Sequence, residues 1–351
     1  MARSFEAEGS DTGAGLGARY VALGGAGVAT GDDVYAIYFN PAGLASVKGV
    51  ELAVSRQLNA KLHAINFLGA AWRLPLEEHW GVQATVAAAY YPRIHARASG
   101  AFDEGNFESL FLRYLLPGIS GTFDGDIETK TKSYRLAMAI APAPGSRWSV
   151  GFYVERIDCK STFCGVHATS NGFTTSSTGA TAIGLGTGVR YRLAPQWTLA
   201  GSVSDIHTRL TVNSVTTDAA GMRTQQVSAQ FPRKITAAAA WQAASDTAVA
   251  VDYEITKGQY GRSDIDLQVL RAGVEKIAGE WAYRAGAVVP IRIVSTMTGK
   301  LEAPFPFAPT AGLGWRAGNL KVDFAFYAHT VMSMHKGSAS PAADLSLTAS
   351  F

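Results

Sequence analysis

The sequence predicts an all-β chain: a transmembrane antiparallel β-barrel of about fourteen strands whose lumen holds an N-terminal plug. Three observations lead there. From about residue 49 onward, apolar side chains alternate with polar or small ones in segments about ten residues long, the period of a strand. Short and long connections between these segments take turns along the chain, as they do between the two rims of an outer-membrane barrel. All seven tryptophans, Trp72, Trp80, Trp148, Trp197, Trp241, Trp281 and Trp315, fall within three residues of a short connection, where an interfacial girdle would sit.

Composition narrows the alternatives. Charged residues make up 17% of the 351-residue chain, well under the roughly 25% of an average soluble domain. No run of about 18 apolar residues exists to form a spanning helix, so a membrane chain of this kind must cross with strands. The net charge of +3 comes from scattered Lys and Arg, which speaks against nucleic-acid binding. Cys159 and Cys164 are too few for a zinc site or a disulfide framework; one loop disulfide or two thiols are both open. The first ten residues lack the apolar core of a signal peptide, so a mature-form chain is expected.

Taken in order, the expected strands are 49–57, 63–74, 80–94, 130–141, 148–158, 179–193, 197–207, 233–243, 247–257, 265–278, 281–291, 308–316, 320–330 and 343–351. Val50, Leu52 and Val54 open the pattern, Thr247 to Ile255 repeat it, and Leu345, Leu347, Ala349 and Phe351 close it. Pro92 removes a ladder hydrogen bond from the third strand and marks either a kink in the wall or the strand's end. Gly184, Gly186 and Gly188 strip one face of the sixth strand bare, and the plug is expected to pack there. The longer connections are 95–129, 159–178, 208–232, 292–307 and 331–342.

Residues 1–47 form the second unit, against a barrel of 48–351. They are rich in Gly and Ala and show no sustained period of two, so a compact irregular plug is expected rather than a barrel strand. Asn40-Pro41 stops any helix begun near Asp33. The stretch YVALGGAGVATG has the look of a phosphate loop, but Thr30 occupies the third glycine position and no strand–helix alternation follows.

The run Gly17 to Gly43, with Gly24, Gly25 and Gly27, the pair Asp32-Asp33, and Asn40, Pro41, Ala42 and Gly43, resembles the hatch of the FadL family of long-chain fatty-acid transporters, most closely its treponemal branch. The resemblance implies a monomeric outer-membrane barrel blocked by its hatch, hydrophobic ligands captured at extracellular loops, and sideways release through the wall. It transfers the hatch residues and leaves the ligand pocket open. Barrels that assist protein secretion carry a similar NPAG stretch.

Two sets of residues are candidates for ligand contact. Phe107, Leu110, Phe111, Leu112, Tyr114, Leu115, Leu116 and Ile119 make an apolar patch in a long loop, either covering the barrel mouth or forming a groove that collects acyl chains. Arg73, Arg135, Arg190, Arg192, Arg284, Arg316 and Lys321 belong on the lumen face, because charge turned to hydrocarbon costs about 2 to 4 kcal/mol. There they would hold a ligand carboxylate or pair with Asp252, Glu254, Asp323 and the hatch acids. No nucleophile elbow, carboxylate pair or metal-ligand spacing appears, so no catalysis, metal or cofactor is expected. The expected partners are membrane lipid or detergent and a long-chain fatty acid or similar hydrophobic molecule. A plugged barrel with a structural, secretion or interaction role is the alternative, and an aqueous porin is disfavoured by the plug.

Overall fold

The computed structural model describes residues 4–102, 123–160, 167–170, 173–177, 180–260, 263–295, 299–300, 307–336 and 338–351. Its strands, in chain order, are β1 (Ser4–Glu8), β2 (Val50–Gln57), β3 (Phe67–Leu74), β4 (Gln83–Phe102), β5 (Phe123–Ala141), β6 (Trp148–Lys160), β7 (His167–Ser170), β8 (Phe173–Ser177), β9 (Ala180–Ala194) and β10 (Trp197–Ile206). They continue as β11 (Arg209–Asp218), β12 (Gly221–Gln230), β13 (Arg233–Ala244), β14 (Thr247–Tyr260), β15 (Ser263–Ala278), β16 (Trp281–Ser295), β17 (Gly299–Lys300), β18 (Ala308–Ala317), β19 (Leu320–Ala328) and β20 (Pro341–Ser350).

Fourteen of these close into one antiparallel ring. Each of β2 to β5 pairs with the next, β6 pairs with β9, β10 joins β9 to β13, β14 to β16 follow, and β18 to β20 complete the circuit. The seam is β2 on β20, with Leu52 opposite Ala349 and Val54 opposite Leu347. Closure leaves no edge in the ring, which is the condition for a sheet to survive in hydrocarbon.

Alternation decides which side chains meet lipid. Leu136, Ile183 and Phe326 project outward and are 61%, 56% and 56% exposed, while their strand neighbours Arg135, Ala182 and Ala325 are buried inward. A soluble protein does not leave so continuous an apolar band bare, and the band reads as the lipid-facing wall. At its lower edge Trp197 stands opposite Trp241 and stacks on it with ring centroids 5.8 Å apart, and Trp281 stands opposite Trp315. The tight turns lie at that rim.

The opposite rim is more structured than the sequence suggests. Strand β4 does not stop at Pro92: a bulge follows it, Arg93 is the extra residue, and the strand runs on to Phe102 against β5. The connection 208–232 is the hairpin β11–β12 rather than loop, and β8 adds to it. Strand β3 leaves β4 at Tyr90. Above that point the N-terminal residues take its place, with Ser10 and Asp11 donating to the carbonyls of Pro92 and Arg93, and β1 pairing with His95 to Ser99. The N-terminal segment therefore does contribute a strand, outside the ring. Cys159, near the upper end of β6, is disulfide-bonded; Cys164 lies outside the described residues.

Candidate functional site

From Ser10 onward the chain leaves the β4 edge and enters the ring. A one-turn helix, Ala18–Ala22, leads into Leu23 and Gly24; a second turn, Ala36–Phe39, and a 3-10 turn, Pro41–Ser46, follow. Nearly every residue here is buried. So short a helix cannot stand on propensity, and the packing partners are inward-facing groups on strands all round the barrel. The Ala18 N–H donates to Ser346 (2.7 Å), Val28 to Asp252 (2.9 Å) and Val34 to Glu51 (3.0 Å), while Thr310 and Ser149 donate to the carbonyls of Ala22 and Ala42.

Small residues make this approach possible. Gly24 has φ +68°, and a Cβ there would lie 2.5 Å from the Ala287 carbonyl oxygen; on the facing wall a Cβ on Gly286 would strike Gly24's own nitrogen. Asn40, fully buried, accepts from the Ala42 N–H and donates to the carbonyls of Val28 and Val189, so one amide starts the 3-10 turn and ties it to β9. Of the three glycines on β9, only Gly188 meets this segment, through Asn40; Gly186 makes room for Tyr153 and Gly184 for Thr208, both barrel residues.

Charge is organised in two clusters. On the tryptophan side Arg19 donates to Asp32 (2.5 Å) and, through two nitrogens, to Glu275, which also accepts from Arg284; Arg284 in turn reaches Asp323 at 2.7 Å. The Asp32 side chain is 45% exposed; partial loss of solvent opposes its charge, but Arg19 outweighs that and holds the carboxyl below its usual range. Asp33, next in sequence, is pushed up to about 7 by burial and by Asp32, and accepts from the Tyr20 hydroxyl and the Tyr35 N–H. On the other side Arg93 chelates Asp205 at 2.7 and 2.9 Å and also donates to Asp11; Lys234 donates to Asp11, and Arg135 to Glu155 (2.5 Å) and the Ile37 and Tyr38 carbonyls. Burial opposes the charge on Asp11 too, but Arg93 and Lys234 hold its carboxyl well below the ordinary range.

The remaining arginines are also placed. Arg190 donates to Gly31 and Ser46, and Arg73 pairs with Glu77 at the rim. Arg192 and Arg316 are exposed at the tryptophan rim, and with Arg190 and Lys321 the last of these lines a cavity of about 330 Å³, of mixed polar and apolar lining, beside the N-terminal segment. The apolar patch of Phe107, Leu110, Phe111, Tyr114 and Leu115 lies outside the described residues. Sequence reasoning missed Arg93, Asp11, Glu155 and Asp205, whose only signal was their place on the polar parity of a strand or in an irregular stretch. It also missed an inward apolar cluster near the upper rim, Ile157, Ala182, Leu210 and Phe231, with the Arg93 guanidinium 4.7 Å from the Phe231 ring centre. Among the described residues no group of three or more His, Cys, Asp and Glu is placed to hold a metal ion.

No family model and no curated protein matches the sequence. Solved structures do match in fold. The Ralstonia pickettii toluene transporter TbuX superposes over 96% of this chain and 99% of its own with a TM-score of 0.62 at 14% identity. The Pseudomonas putida toluene transporter TodX covers the same shares with a TM-score of 0.60 at 11% identity, and a Pseudomonas aeruginosa FadL homologue covers 99% and 98% with 0.61 at 11% identity. The fold of this chain, a closed fourteen-stranded antiparallel barrel, is thus the fold of the FadL-type transporters.

Proposed function

We propose that the protein is an outer-membrane channel through which hydrophobic small molecules, long-chain fatty acids among them, enter, with residues 1–47 acting as its hatch. The observation that carries this reading is the pairing of a lipid-facing fourteen-stranded ring with a buried N-terminal segment, in a fold shared along its whole length with toluene transporters. No nucleotide-driven step is part of the reading: the ligand moves down its gradient, captured at the outer rim and handed inward past the hatch. The lumen arginines then serve mainly to seat the hatch, since Arg135, Arg190 and Arg284 spend their donors on it or on wall carboxylates. The apolar inner face at Leu210 and Phe231 is the better seat for a hydrocarbon chain.

The test is equilibrium binding of a fluorescent long-chain fatty acid, with toluene as competitor, to the refolded chain in detergent. Saturable binding weakened about tenfold in Phe231→Asn is expected, the size of losing part of one buried apolar contact. Competition by toluene would place monoaromatics in the same seat. A second reading, a plugged barrel with a structural, secretion or interaction role, is favoured by the ion clusters that cross the lumen, and absence of saturable binding in the wild-type chain would make it the better account.

A further inference from the structure

Where the N-terminal strand replaces β3 beside β4, two imidazoles meet. His63 stands on the connection between β2 and β3, and His95 stands on β4 directly opposite Glu8 of β1. Their ring centroids are 4.6 Å apart at an interplanar angle of 62°. His63 Nε2 and His95 Nδ1 are both buried and both lack a hydrogen-bond partner. His95 itself is 3% exposed, and its other nitrogen lies 2.6 Å from Glu128.

An edge-to-face pair would explain the contact but not two orphaned ring nitrogens, since buried polar atoms are almost always satisfied. We propose that His63 and His95 form a two-histidine site for a borderline transition-metal cation, Cu(II) binding most strongly, with water in the remaining positions. With a metal–nitrogen bond of about 2.0 Å, each ring centre stands about 3.2 Å from the ion, and two rings at a ligand angle near 90° then have centres about 4.5 Å apart. The observed separation fits. The Glu128 carboxylate accepts a hydrogen bond from the Nε2–H of His95, which leaves the lone pair on Nδ1 and supplies the carboxylate–histidine–metal arrangement found around bound ions.

The charged surroundings divide. Lys130 and Lys132 act on His63 from β5 and oppose a cation. Glu8 and Glu128 offset them, although Glu8 is already engaged by the Lys61, Leu62 and His63 backbone amides. An ion here would staple the β2–β3 connection to β4 at the place where the ring lacks its β3 partner. Two protein donors are enough for a site completed by water and of moderate affinity, with imidazole a ligand type suited to copper.

The test is Cu(II) titration of the full chain refolded in detergent, followed by calorimetry and electron paramagnetic resonance. The expected result is one equivalent with nitrogen couplings from two imidazoles, lost in both His63→Gln and His95→Gln, and weakened about 10-fold in Glu128→Gln. Trypsin cleavage after Lys61 should slow when that equivalent is bound. Folding of each variant is checked by its resistance to SDS; if His95→Gln does not fold, His63→Gln, on the connection, carries the result. Equal copper stoichiometry in the wild-type chain and His63→Gln, or a resonance spectrum showing a single nitrogen, overturns the proposal.

Discussion

Replacing Asn40 by alanine removes an acceptor from the Ala42 amide and two donors from the carbonyls of Val28 and Val189, all at a site water does not reach. Leaving such groups unmet costs about 1 to 3 kcal/mol each, so Asn40→Ala should lower the apparent melting temperature of the refolded chain, and Asn40→Asp, which keeps the acceptor but sets a carboxylate oxygen against two carbonyls, should lower it at least as much at neutral pH. Asp33 makes a prediction of the opposite kind. Its carboxyl is raised to about 7, chiefly by burial. The folded chain therefore holds a proton that the unfolded chain releases near pH 4. The contribution to stability is fully present below that pH and is lost as pH rises through 7. Denaturant midpoints for the wild-type chain should fall from pH 4 to pH 7 by more than they do in Asp33→Asn, which keeps an acceptor for Tyr20 and Tyr35; equal slopes would remove Asp33 as the source.

Elements differ in how legibly the sequence announces them, and the reason is whether their two faces meet different solvents. All fourteen staves of the ring were readable, because lipid on one side and packed polar groups on the other impose strict alternation; Leu320, Val322, Phe324 and Phe326 against Lys321, Asp323 and Ala325 show it plainly. The hairpin β11–β12 was not, since the alternation of Leu210 and Val212 with Thr211 and Asn213 stops at Ser214, and Arg223 to Gln226 on the returning strand are all polar. Strand β1, five residues long, lies below the length at which alternation is distinguishable from chance. The irregular, glycine-rich character of the stretch around Gly24 and Asn40 was readable, yet the ion pair of Arg93 with Asp205 was not, because the two lie 112 residues apart. Two predictions belong to this scale. Removing residues 1–8 should speed hydrogen exchange on the β1-facing edge of His95 to Ser99 while leaving Ala84 to Tyr90, held by β3, unchanged. Gly286→Val should unseat the segment at Gly24 without breaking the ladder of β15 and β16, and should be read as increased ion conductance through single channels in a planar bilayer.

For the whole molecule the decisive distinction is between the surface that lipid covers and the interior that the chain fills for itself. Leu136 and Arg135 are neighbours on β5, one 61% exposed and the other 4%, so a single step along the strand crosses from hydrocarbon to ion cluster. Leu136→Lys sets a charge against lipid and should cost about 2 to 4 kcal/mol if the site lies near the bilayer midplane; Arg135→Leu leaves Glu155 buried beside a lost partner and should cost about 3 to 5 kcal/mol. The two losses have different environments, and that separates them experimentally. In bilayers the Leu136→Lys penalty should shrink as the hydrocarbon core is made thinner with shorter acyl chains, because the lysine then reaches the interface, whereas the Arg135→Leu penalty should not move. Unfolding free energies measured in two bilayer thicknesses check both at once. If the two variants responded alike to thickness, the outward apolar band would not be the lipid-facing surface, and the barrel would have to be inserted in some other way or not at all.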